Sequence, residues 1–264
     1  MKPILEVKNL TVQFKDESDR RNLRRKPGTK ENLAAVHAVS FSLYPNEVLG
    51  IVGESGSGKS TVARAITRLI PAKEGSICLD GKDITAVRGK ERRQIYEKIQ
   101  MVFQSPAGSF DPGRTLGYSV GESLQNSGLS KQQVGERVKE LLVRCGLPEE
   151  FADRYPHTVS GGQCQRAAIA RALAVQPEVL ICDEATSALD VTVQKQILHL
   201  LAELKEREKM SYLFICHDLA LVQDFCDRVL VMRGGRIVEE GTPEDILQHP
   251  RSSYTEDLIR AALL

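Results

Sequence analysis

Apolar and polar positions alternate through "ILEVKNLTVQF" near the start of the chain, so successive side chains fall on opposite faces and a half-buried strand is predicted. A second strand region is predicted over "VHAVSFSLYPNEVLGIVG". Between the two, "KDESDRRNLRRKPGTKENLA" is polar and mostly basic and carries a Pro-Gly pair. It reads as an exposed hairpin loop or insertion, with contact to lipid head groups or a partner as the alternative. From Thr61, "TVARAITRLI" has helical spacing, and "GSICLDGKDI" returns to strand around an Asp-Gly turn. "KIQMVF" is a further strand with Gln104 at its end, and residues 107–172 look mainly helical, as in "VGERVKELLVRCGL". Two short apolar strands, "VLICDE" and "YLFICHD", then flank the helix "VTVQKQILHLLAELKEREK". A last strand pair, "RVLVMRGGRIVEEG", turns on Gly234-Gly235 and leads into a helical tail over about 243–264.

Strands that alternate with helices imply an α/β core built on a parallel sheet. The helical stretch at 107–172 is then a subdomain inserted into one domain spanning residues 1–264. No internal repeat or low-complexity tract interrupts that reading.

Composition narrows the function classes. Lys and Arg number 36 against 35 Asp and Glu, a formal charge of +1, which argues against a protein that coats nucleic acid or an anionic membrane. Aromatic residues make up 5% with no Trp, so base-stacking platforms are not indicated. The six cysteines (Cys78, Cys145, Cys164, Cys182, Cys216, Cys226) are scattered with no CxxC pair, as expected of small core residues in a reducing compartment. The N-terminal segment lacks the apolar run of a signal peptide, and no stretch approaches the length of a membrane helix. A cytoplasmic chain is expected, with room for a membrane-embedded partner.

Candidate chemistry starts at "GESGSGKST", Gly53 to Thr61, which fits G-x-x-x-x-G-K-[ST] between an apolar strand and a helix. Gly53, Gly56 and Gly58 let the backbone curl so that N–H groups along Gly53, Glu54, Ser55, Gly56, Ser57, Gly58, Lys59, Ser60 and Thr61 line an anion nest. Lys59 would reach the β- and γ-phosphates of a nucleoside triphosphate, and the Ser60 hydroxyl would ligate Mg²⁺. The run "VLICDE" ends in Asp183 and Glu184, and paired acids at the end of a buried strand call for a cation. Asp183 is placed to hold Mg²⁺ through water and Glu184 to act as general base on the attacking water. Ligands in such folds sit at the carboxyl ends of strands, which brings His217 to the same edge and lets Gln104 set its amide near the metal and the water.

A second nest is indicated in "RYPHTVSGGQCQRAAIARAL". Ser160, Gly161 and Gly162 open a helix, and Gln163 adds a polar contact. A helix cap alone is one explanation. The other is an anion held from outside: with the chain's own phosphate loop elsewhere, this nest is free to cover the γ-phosphate of a second chain, giving two sites per dimer.

These motifs, in this order over almost the whole chain, resemble the ATP-binding subunits of ATP-binding-cassette transporters. The resemblance makes 53–61 the Walker A loop, Gln104 the Q-loop, "VSGGQ" at 159–163 the signature, 179–184 Walker B, "SALD" at 187–190 the D-loop and His217 the switch residue. It puts Phe14 where an aromatic ring stacks on adenine, with Val159 where Leu is usual. It implies a P-loop, RecA-like core with an antiparallel β subdomain and an inserted helical subdomain, and ATP with Mg²⁺ as the cofactors. The segments "QSPAGSFDPGRT" and "HPRSSYTEDLIRAALL" and the insertion before Val36 are similar to the dipeptide, oligopeptide and nickel importer branch. That likeness implies a second, different ATPase subunit, two membrane permeases and an extracytoplasmic binding protein, with this chain at the cytoplasmic face of the membrane and no nucleic-acid partner. The tail departs from the branch in having Arg-Ser-Ser before Tyr254, and no cysteine-bearing extension follows it. The latter argues against an iron–sulfur cluster and keeps nickel or metal-chelate import as the alternative to peptides. A soluble cassette ATPase of DNA repair, translation or cofactor assembly is the rival class; one cassette, no long heptad repeat and no basic bias speak against it.

Overall fold

The computed structural model describes residues 1–14, 34–186 and 189–262. The basic insertion read over residues 15–33 lies outside the described residues, as do Ser187 and Ala188 of the "SALD" segment and the last two residues of the tail. The first half of the chain gives β1 (Leu5–Gln13), β2 (Ala34–Leu43), β3 (Val48–Val52), α1 (Lys59–Ile66), β4 (Glu74–Leu79), β5 (Lys82–Asp83), α2 (Gly89–Lys98) and β6 (Ile99–Val102). Helices α3 (Leu116–Gly121), α4 (Lys131–Arg144) and α5 (Gly161–Leu173) follow, joined by short 3₁₀ turns. The remainder is β7 (Val179–Asp183), α6 (Val191–Glu208), β8 (Ser211–Ile215), α7 (Leu219–Phe225), β9 (Arg228–Arg233), β10 (Arg236–Gly241), α8 (Pro243–Gln248) and α9 (Ser253–Ala262).

The strands form two sheets. One is antiparallel in the order β2-β1-β4-β5; the other runs β10-β9-β3-β8-β7-β6. The second is parallel from β9 to β6, with β10 antiparallel at its edge. Every residue of β3, β7 and β8 is buried, which is why those strands read as unbroken apolar runs: a parallel sheet is covered on both faces. Alternate side chains enter two separate cores. Leu49, Ile51, Ile181, Leu213 and Ile215 pack with α1 and the antiparallel sheet. Val48, Val52, Cys182, Tyr212 and Phe214 pack with α5 and α6 on the other face.

Three details differ from the reading of the sequence. "VHAVSFSLYPNEVLGIVG" is two strands in two sheets, because Pro45 and Asn46 (φ 60°) make a turn closed by Glu47, whose carboxylate accepts the Tyr44 N–H at 2.6 Å. Helix α1 begins at Lys59, inside the glycine motif, and ends at Ile66; Arg68 (φ 59°) lies in the turn beyond it. Helix α2 was not legible, since only Ile95 of its ten residues is buried and the rest show no apolar face. The six cysteines are free thiols, five of them buried. Burial pushes Cys145, Cys182 and Cys216 up to about 12, so these thiols are unreactive packing groups.

Candidate nucleotide site

The loop between β3 and α1 wraps around the Lys59 ammonium. Lys59 is 4% exposed, and its Nζ donates to the carbonyls of Gly53 (2.7 Å) and Glu54 (2.9 Å), with the Ser57 hydroxyl at 3.5 Å. Ser57 N–H closes a turn on the Glu54 carbonyl at 3.1 Å, while the Ser57 carbonyl accepts from Gly235 N–H at 2.9 Å. The hairpin of β9 and β10 therefore holds the loop from outside. Gly53 (φ 147°) lies so close to that hairpin that a Cβ would stand 2.2 Å from the Met232 carbonyl oxygen. Glu54, Ser55 and Gly56 form the exposed tip, and Gly58 caps α1, leaving the first N–H groups of that helix, through Thr61, at its mouth. Burial lowers the pKa of Lys59, and the carboxylate of Glu184 opposes that shift.

The second half of the site comes from β7. Asp183, 3% exposed, accepts a hydrogen bond from the Ser60 hydroxyl at 2.7 Å. Burial raises its pKa, opposed by the Ser60 hydrogen bond and by Arg64. Glu184 leaves the strand with φ 48°, and its N–H donates to the Ile215 carbonyl of β8 at 2.9 Å. The Gln104 amide donates to Glu184 Oε2 at 2.6 Å, so the segment after β6 touches the carboxylate directly. His217 follows β8 two residues beyond Ile215 and is exposed at the same sheet edge. Lys59, Ser60, Gln104, Asp183, Glu184 and His217 thus gather along the carboxyl ends of β3, β6, β7 and β8, where parallel sheets place ligands.

An oxygen-only set of one buried carboxylate and one hydroxyl suits a hard cation that keeps waters and phosphate oxygens as its other ligands. Among the described residues no three His, Cys, Asp or Glu side chains converge as a metal cluster, so a site completed by phosphate is the arrangement the chain can offer.

Ser160 to Gln163 stand apart from this group. Ser160 caps α5: its hydroxyl accepts Gln163 N–H at 3.3 Å, and Gln163 Oε1 accepts Ser160 N–H at 2.9 Å. Both side chains are engaged in the capping box, which leaves the N–H groups of Gly161 and Gly162 at the helix mouth. Gly161 is set against Leu189, just before α6, and Gly162 against Val193 in its first turn. Phe14 follows β1 with 54% of its surface exposed.

Sequence reasoning missed Arg171, near the inner end of α5. It donates to the Ser109 carbonyl (2.6 Å) and hydroxyl (2.8 Å), with its guanidinium 4.5 Å over the Phe110 ring. The helix capped by Ser160 is thereby tied to Ser109, five residues beyond Gln104. An arginine within the apolar second half of that helix, "AAIARAL", where its neighbours are buried, is the signal that marks it.

A family model described as ABC transporter matches residues 36–187. The oligopeptide transport ATP-binding protein OppF of Salmonella typhimurium is 44% identical over 98% of this chain and 78% of its own length. The glutathione import ATP-binding protein GsiA of Pectobacterium atrosepticum is also 44% identical, over 98% of this chain and 41% of that protein. Among solved structures, the dimeric post-hydrolysis state of the ATP-binding cassette MJ0796, bound to ADP and Pi, superposes with a TM-score of 0.78 at 30% identity. That match covers 90% of this chain and 98% of the other.

Proposed function

This chain belongs to the ABC transporter family, and from that membership we propose that it is the ATP-hydrolysing subunit of an importer for peptides. The observation that carries the ATPase reading is the meeting of the phosphate loop and the segment after β6 at the acid pair: Ser60 bonded to Asp183, and Gln104 to Glu184. The peptide class is preferred over nickel because the relatives are named for oligopeptide and glutathione transport.

Lys59, held by the Gly53 and Glu54 carbonyls, would turn its third N–H to the β- and γ-phosphates, and the N–H groups at the mouth of α1, Lys59 to Thr61, would hold the rest of the chain of phosphates. Ser60 and Asp183 would hold Mg²⁺, with Gln104 beside it. When bound, that ion supplies charge neutralisation to the phosphate oxygens. Glu184 would accept the proton of the attacking water as the water oxygen bonds to the γ-phosphorus and the bond from that phosphorus to the bridging oxygen breaks, with ADP as the leaving group. Gln104 orients the carboxylate, and His217 steadies the γ-phosphate. Phe14 would stack on adenine.

In the proposed assembly a second cassette subunit faces this one. Ser160, Gly161 and Gly162 cover the γ-phosphate held by that second subunit, and its equivalent segment covers the phosphate held here. Contacts to the phosphate favour the closed pair, so hydrolysis removes what holds it shut. The dimer seen for the MJ0796 cassette supports this arrangement. Two different ATPase subunits under two permeases, fed by an extracytoplasmic binding protein, place the chain at the cytoplasmic face of the membrane.

A pull-down of the tagged chain from its native cells in mild detergent, with mass identification of what copurifies, tests the proposal. Two multi-span permeases and a second cassette subunit are expected. Soluble partners alone would overturn the transport reading and leave the ATPase site untouched.

A further inference from the structure

The C-terminal helix α9 reaches the phosphate loop through one side chain. Tyr254 is 4% exposed, and its hydroxyl accepts a hydrogen bond from the Glu54 N–H at 3.1 Å. That N–H belongs to the same peptide unit as the Gly53 carbonyl, which accepts from Lys59 Nζ at 2.7 Å. A trans peptide points its C=O and N–H in opposite directions. One peptide plane thus bridges the buried ammonium on its inner side and the tyrosine hydroxyl on its outer side.

The tyrosine is itself firmly placed. The Arg233 guanidinium lies 4.7 Å over its ring, and Arg233 follows Met232, whose carbonyl forms the wall against Gly53. The start of α9 is fastened by Glu239 of β10. This 8% exposed carboxylate accepts the N–H groups of Arg251 (2.7 Å) and Ser252 (3.1 Å) and the hydroxyl of Thr255. Because Gly235 in the same hairpin holds the Ser57 carbonyl, the hairpin and α9 make one frame around the loop.

We propose that Tyr254 is a positioning residue of the nucleotide site, which sets the Gly53–Glu54 peptide and through it the resting place of Lys59. The inference rests on reading Gly53 to Thr61 as the phosphate loop. Glu54 is exposed, so without the phenol oxygen its N–H can turn to water. Nucleotide binding must then restore the peptide's orientation. The tail is on this view part of the site rather than an appendage.

The test titrates the full chain with ATP in the presence of Mg²⁺ by calorimetry. Tyr254→Phe keeps the ring and its Arg233 contact, and is expected to weaken ATP binding about two- to tenfold, the range that one net hydrogen bond supports. Its hydrolysis rate at saturating ATP should stay within about twofold of the unaltered chain, a split between affinity and turnover that loss of packing alone would not give. Arg260→Ala trims an exposed side chain further along α9 whose ion-pair partner is Asp257. It should leave ATP affinity unchanged. Unaltered affinity in Tyr254→Phe, or an equal loss of affinity in Arg260→Ala, overturns the assignment. Should Tyr254→Phe not fold, amide exchange in the unaltered chain decides: a protected Glu54 N–H upholds it, and exchange at the rate of an open loop overturns it. Failure of the unaltered chain to bind ATP would instead sink the nucleotide reading beneath it.

Discussion

Two glycines of the phosphate loop should respond very differently to the same added methyl group. At Gly53 the backbone has φ 147°, and a Cβ would stand 2.2 Å from the Met232 carbonyl oxygen, where ordinary contact begins near 3.4 Å. Side-chain-bearing residues pay roughly 1–3 kcal/mol for such a conformation. The clash is with backbone, so either the loop or the end of β9 must retreat by about 1 Å. Met232 is paired with Ile237, and its neighbour Val231 with Val52, so the retreat strains the ladder on both sides of β9. Losing one or two of those hydrogen bonds costs about 1 kcal/mol each. Gly53→Ala is therefore expected to destabilise the chain by about 2–5 kcal/mol. At Gly56 the φ is 82° and, among the described residues, no atom beyond its chain neighbours lies within 4 Å of the added carbon. Only backbone strain remains there, about 1–2 kcal/mol. Urea unfolding of both variants, compared at equal m-values, measures the difference. Equal destabilisation, or a Gly53→Ala variant within about 1 kcal/mol of the unaltered chain, would refute the role given to the Met232 wall.

Glu184→Gln keeps the shape and the Gln104 contact while removing the proton acceptor. Turnover should fall about 10²- to 10⁴-fold with ATP affinity nearly unchanged, and near-normal steady-state hydrolysis would sink the general-base role. Asp183→Asn should raise stability at neutral pH while hydrolysis is lost. Burial raises the pKa of this acid, so the native state binds its proton more tightly than the unfolded chain does. Stability from this group is then present at low pH and is lost as pH rises through the raised folded pKa. The asparagine, having no charge to bury, should flatten that part of the stability-versus-pH curve; an unchanged curve counts against the assignment. Arg171→Ala leaves the Ser109 acceptors unpaired and a hole beside Phe110, and should cost about 2–4 kcal/mol in denaturant unfolding. Arg171→Lys, which keeps the charge without the planar fork, should recover only part of it.

How much of this could be read in advance depended on how local each feature is. The phosphate loop is nine consecutive residues between a strand and a helix, so its chemistry survives in the one-dimensional string. The strands β3, β7 and β8 were legible for a different reason: with both faces covered, their interior positions are apolar and polar residues fall at the ends, Ser211 and Asp183. Asp183 and Glu184 stood out because they end such a run. What failed was non-local. Nothing in "FSLYPNEVLG" says that the chain changes sheets at Pro45-Asn46, because the choice of neighbour for β2 and β3 is made by pairing with β1 and with β8 and β9. Helix α2 is set by the short path between β5 and β6 rather than by an apolar stripe. At Ser160 the sequence offered a cap beside an anion contact, and the cap is visible as a local feature, Ser160 and Gln163 bonding one another across the first turn. Tyr254 lies 200 residues from Glu54, and no periodicity connects them.

The charges explain why the site is spread over several elements. Lys59 and Asp183 are both buried, and burial pushes each towards its neutral form, Lys59 down and Asp183 up. Placed in contact they would neutralise one another, and a triphosphate would have to break that pair before it could bind. Instead each is bonded to neutral groups: Lys59 to the Gly53 and Glu54 carbonyls, Asp183 to the Ser60 hydroxyl. Carbonyls and a hydroxyl lower the cost of burial without cancelling the charge. The ammonium therefore keeps its attraction for phosphate, and the carboxylate its attraction for a divalent cation. The fold carries the desolvation cost of both groups in advance, and the large apolar cores on either side of the parallel sheet offset it. Binding of ATP with its metal would relieve that cost. The unfolding midpoint should therefore rise with ligand concentration as mass action requires, and more steeply in the unaltered chain than in one where Asp183 has become asparagine.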